Sequence, residues 1–102
     1  MNTMILAGLP REFDVLAMQA ALGGDIGARL EALVQQTREA AGTDAGWQRE
    51  VQKVRGKLRG QKIALDASNP ALPDKLADPD NQRRRAFYAT AITRLTALIE
   101  AE

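Results

Sequence analysis

Residues 78–99 read DPDNQRRRAFYATAITRLTALI, and this stretch decides the fold class. Asp78 is a good N-cap, and Pro79 suits the first helical position because its missing N–H needs no partner there. Asp80 then favours the positive end of the helix dipole. Tyr88, Ala91, Ile92, Leu95, Leu98 and Ile99 recur at three- and four-residue spacing. One side of a long helix is therefore apolar almost to Glu102, and it has to be buried against something.

The segment before it, residues 66–79, is broken by Asn69-Pro70, Pro73-Asp74 and Asp78-Pro79. A structureless connection of about 14 residues is long for a small domain. Leu72 and Leu76 are therefore expected to pin this loop to the core.

Three further helices are read from the same periodicity. Trp47, Val51, Val54 and Leu58 make a narrow apolar stripe in the third. Its end is left open by Gly56 and Gly60, each costing about 1 kcal/mol relative to alanine in a helix interior. The second, residues 26–41, places Ile26, Leu30, Leu33, Val34, Thr37 and Ala41 on one side. Asp25 is its expected cap and Gly42 its end, with Thr43 or Asp44 capping the helix that follows.

The first helix is expected over residues 10–22, with Pro10 at its first position and Glu12 and Asp14 in its first turn. Gly23-Gly24 ends it. Phe13, Leu16 and Ala20 form one stripe, and Val15, Met18 and Leu22 form another beside it. Such a width of apolar surface means a helix covered from two sides, or one that shares its second side with a partner. Residues 3–7 and 62–65 also admit short paired strands.

The fold class is thus all-α: one small four-helix domain over residues 1–102, with a pinned loop between helices three and four. A chain of 102 residues is long enough to bury a modest core without disulfides or metal. No apolar run approaches the roughly 20 residues needed to span a bilayer. The opening run Met4-Ile5-Leu6-Ala7 has no basic residue before it, so it reads as part of the fold and not as a signal peptide. The absence of cysteine suits a reducing cytoplasm. Alanine is the commonest residue and arginine outnumbers lysine, a bias of GC-rich codons that points to a bacterial or phage source.

Catalytic groups are scarce. The chain has neither histidine nor cysteine, so the usual general base, the usual metal ligand and the strongest nucleophile are all missing. Ser68, the only serine, sits in a loop sequence and not in a Gly-x-Ser-x-Gly turn. Asp74, Asp78 and Asp80 lack the ligand ladder and closing glutamate of a calcium loop. Gly23-Gly24 and the Gly56/Gly60 pair match neither a Walker loop nor a dinucleotide fingerprint. The expectation is a protein that is no enzyme and uses no metal or cofactor.

Charge is strongly segregated beneath a net charge of +1. Residues 49–62 carry Arg49, Lys53, Arg55, Lys57, Arg59 and Lys62 against Glu50 alone. On a helical wheel Arg49, Lys53 and Lys57 flank the Trp47 stripe on one edge, with Arg55, Arg59 and Lys62 on the other. Arg83-Arg84-Arg85 adds three cations near the start of the last helix, where the dipole disfavours them. Arg84, close to the Tyr88 stripe, suits an intramolecular acid. Arg83 and Arg85 join the basic segment as candidate contacts.

Two functions follow. The first is a non-catalytic helical adaptor, inhibitor or assembly protein that binds a protein partner. It would form a homodimer through Phe13, Val15, Met18 and Leu22, the surplus apolar face. The alternative is a nucleic-acid-binding accessory protein using residues 49–62 with Arg83 and Arg85, a reading that requires the two basic segments to form one patch.

Overall fold

A computed structural model describes residues 2–66 and 79–101. The expected pinned loop, with Leu72, Leu76 and Ser68, and the expected cap Asp78 lie outside the described residues. Four helices make up the rest: α1 (Thr3–Ala21), α2 (Gly27–Ala41), α3 (Trp47–Asp66) and α4 (Pro79–Glu100). No strand occurs among the described residues, so the helical alternative holds for both 3–7 and 62–65.

The first helix begins seven residues earlier than its sequence suggests. The Asn2 side chain caps it, accepting the Ile5 N–H at 3.1 Å. The Asn2 N–H donates in turn to the Ala40 carbonyl at 2.8 Å, tying the start of α1 to the end of α2. Pro10 consequently lies inside the helix, and Glu12 and Asp14 lie near its middle rather than in its first turn. An interior proline costs about 3 kcal/mol. Upstream of it, however, Leu6 and Leu9 are buried on the same side as Phe13, each contributing about 1.5–3 kcal/mol. Burial outweighs the proline.

Gly23 ends α1 and Gly42 ends α2, both at positive φ (84° and 80°), a backbone conformation that side chains oppose. Asp25 accepts the Gly27 N–H at 3.3 Å and so serves the first turn of α2, which starts one residue later than expected. Asp44 starts α3 through its backbone, its carbonyl accepting the Trp47 N–H at 3.1 Å. Past Gly56 and Gly60 the helix continues to Asp66, because Leu65 still packs on the core and Asp66 is held by two cations.

One core joins all four helices. Leu9, Phe13, Leu16 and Ala17 of α1 meet Leu30, Leu33 and Val34 of α2. The expected stripe Trp47, Val51, Val54, Leu58 of α3 closes it together with Phe87 and with Tyr88, Ala91 and Leu95 of the expected α4 stripe, whose Ile92, Leu98 and Ile99 are only half-buried against it. Among the described residues the one buried polar residue, Thr37, donates its hydroxyl to the Leu33 carbonyl at 2.8 Å, so its hydroxyl is not left unpaired. Among the described residues no helix is long and apolar enough to cross a membrane.

Candidate functional site

The two apolar stripes of α1 part company in the fold. Phe13 and Leu16 turn inward and are buried, while Val15, Met18 and Leu22 face outward at 50, 57 and 82% exposure. Phe13 is wholly buried and so cannot belong to a dimer face. Its place on the outer surface is taken by Met4, which the longer helix brings into line; Ile5, 39% exposed, lies about 100° round the helix from Met4, at the border of the buried face. Among the described residues, exposed large hydrophobics number six: these five on α1, and Ile63 on α3. Scattered single apolar residues are ordinary on a protein surface, but a run along one helix is not.

Beside this face, α1 and α2 leave an open groove of about 570 Å³. It is lined by Val15 and Leu16 from α1 and Ala32 and Leu33 from α2, together with Arg11, Glu12, Gln19, Arg29 and Gln36. Arg29 donates to the Gln19 side chain at 2.6 Å, which braces the two helices at one end. The groove thus presents apolar and polar side chains together, as a binding surface does.

The basic residues are dispersed by comparison. Arg55 reaches across to α4 and donates to the Thr96 hydroxyl at 3.2 Å. Lys62 and Arg85 converge on the Asp66 carboxylate at 2.7 and 2.6 Å, so the two basic segments meet with an anion between them. These bonds, Lys62 first, hold the Asp66 carboxyl below its ordinary value. Arg83 turns away to the Ala21 carbonyl at the end of α1, at 2.9 Å, with Asp80 at 3.7 Å. Lys53 pairs with Glu50 at 3.2 Å. Arg49, Lys57 and Arg59 remain exposed and form no ion pair among the described residues. The three adjacent arginines thus act in three directions, Arg84 lying by the Tyr88 hydroxyl.

No family model, curated protein or solved structure matches the chain.

Two contacts escape a reading of the sequence. Arg38 lies 3.7 Å from the centre of the Trp47 ring and donates to the Gly42 carbonyl at 2.6 Å, closing the α2–α3 turn. Arg94 of α4 forks onto the Glu31 carboxylate of α2 at 2.9 and 2.7 Å, and Glu31 raises the arginine's affinity for its proton. Both join residues on different helices, and nothing in local spacing signals such pairs.

Proposed function

We propose that this protein is a non-catalytic helical module that binds a protein partner through the outer face of α1 and the adjoining α1/α2 groove. The observation that carries the reading is the concentration of exposed large hydrophobics on α1, Met4, Ile5, Val15, Met18 and Leu22. Burying such a face against a partner is favourable at roughly 25 cal/mol per Å² of apolar surface. The fold does not need these side chains, since the core is closed on the opposite side of the helix. The adaptor, inhibitor and assembly roles all share this requirement.

The nucleic-acid reading draws less support. It asks for a continuous run of free cations facing phosphates, whereas Lys62 and Arg85 share Asp66, and Arg83 and Arg55 serve neighbouring helices.

The test is capture from a native lysate on immobilised wild type and on the Val15→Glu/Met18→Glu variant, each with and without nuclease. The expected result is a protein band that survives nuclease and is lost with the variant. A band abolished by nuclease, or one indifferent to the two substitutions, would overturn the reading.

A further inference from the structure

Along the outer face of α1, Met4, Gly8, Arg11, Val15, Met18 and Leu22 follow at intervals of four, three, four, three and four residues. All six are exposed. This alternation is the seam of two long helices packed at a shallow left-handed angle. The seam runs about 27 Å along the helix axis at about 1.5 Å per residue. A partner helix of equal length and matching spacing would cover it.

We propose that the seam is completed by a second copy of this chain, its α1 packed antiparallel across a two-fold axis level with residue 13. The proposal rests on the reading of α1's outer face as a docking surface and names its occupant. Three features of the stripe make it complementary to itself, as a two-fold interface must be. The most exposed apolar side chains, Met4 at 86% and Leu22 at 82%, stand at the two ends; antiparallel pairing lays each on the other. The same register sets Met18 of one copy over Gly8 of the other. At Gly8 a Cβ would meet nothing within 4 Å, so the space there is open to a long side chain.

Charge decides the direction. Arg11 is the one ionised residue in the stripe and has no ion pair among the described residues. A parallel pair would set Arg11 against Arg11, two like charges in an apolar seam. In the antiparallel register its stem lies over Val15 of the other copy, and its guanidinium falls within about one turn of that copy's Glu12 and Asp14.

The chain has no cysteine, so single introduced thiols report on the pairing. Sedimentation of the full chain is expected to show a dimer at micromolar concentration. Met18→Lys should weaken it by roughly 100-fold or more, because its ammonium enters the seam within about one turn of the other copy's Arg11, a like charge, while far-ultraviolet circular dichroism stays that of the wild type. On mild oxidation a mixture of Met4→Cys and Leu22→Cys should form crosslinked dimers, and either variant alone should not. Crosslinking of each variant with itself, in preference to the mixture, would overturn the antiparallel arrangement. A wild type that stays monomeric throughout would overturn the dimer itself. That outcome is distinct from failure of the docking face, which is read from persistence of the captured band in the doubly substituted variant.

Discussion

The Tyr88 hydroxyl donates to the Asp14 carboxylate at 2.6 Å, linking the middle of α4 to the middle of α1 across 74 positions of sequence. Tyr88 is buried, and its ring packs edge-on against Phe87 with centroids 5.7 Å apart. Asp14 is half-buried. Burial, followed by the neighbouring carboxylate, pushes the Tyr88 hydroxyl well above its ordinary range, so it stays a donor.

Tyr88→Phe should therefore lower stability by about 1.5–3 kcal/mol, the usual worth of a hydrogen bond to a charged group. Urea unfolding followed by circular dichroism measures it. The variant should also lack one alkaline effect. Because the folded state holds this proton more tightly than the unfolded state, its contribution is complete below pH 10.0 and declines as pH rises above that value. The gap between wild type and Tyr88→Phe should narrow on that side. A gap that widens there would contradict the assigned bond.

Asp66, held by Lys62 and Arg85, should give the opposite pH dependence. Its folded affinity for protons is lowered, so its contribution is present above the unfolded value of 3.8 and is lost as pH falls through the lower folded value. Melting temperatures of wild type and Asp66→Asn should differ at neutral pH and converge in acid. Equal melting temperatures at pH 7 would show that the two ion pairs add nothing there.

Gly56 and Gly60 are exposed within α3, and a Cβ at either position meets nothing within 4 Å. Gly56→Ala and Gly60→Ala should each stabilise the fold by about 0.5–1 kcal/mol through helix propensity and a less flexible unfolded chain. Chemical denaturation checks this directly. Destabilisation by either alanine would indicate that α3 does not run through these glycines.

Trp47 is 8% exposed and anchors the start of α3, with Arg38 stacked on its face. Trp47→Ala should cost about 3–5 kcal/mol, as removal of a large aromatic from a core does. Arg38→Gln should cost less, about 0.5–1 kcal/mol for an accessible cation–π contact. Equilibrium unfolding of both variants settles the order, and a larger loss at Arg38 would reverse the roles given to the two side chains.

Much of this architecture is legible in the chain. The stripes Trp47, Val51, Val54, Leu58 and Tyr88, Ala91, Leu95 lie on the buried faces of their helices, as their spacing requires. Gly42 and Pro79 mark helix ends because their backbone preferences are local properties. The start of α1 was hidden for the complementary reason. Pro10 is a strong local signal for a helix start, and the buried contacts of Leu6 and Leu9 that overrule it come from distant helices. Periodicity alone places Phe13 with Val15, Met18 and Leu22 on a candidate dimer face, because it shows that a helix has two apolar sides without showing which one the fold uses.

Helical class and the identity of the apolar stripes were determined by the sequence alone, since backbone preference and the 3.6-residue repeat act over a few neighbouring residues. The tertiary structure alone decided where each cation goes: Arg83 to the end of α1, Arg85 and Lys62 to Asp66, Arg94 to Glu31. It likewise decided that the second stripe of α1 is left facing outward. Long side chains select partners by position in space, and which face of a helix is covered depends on how the other helices pack around it.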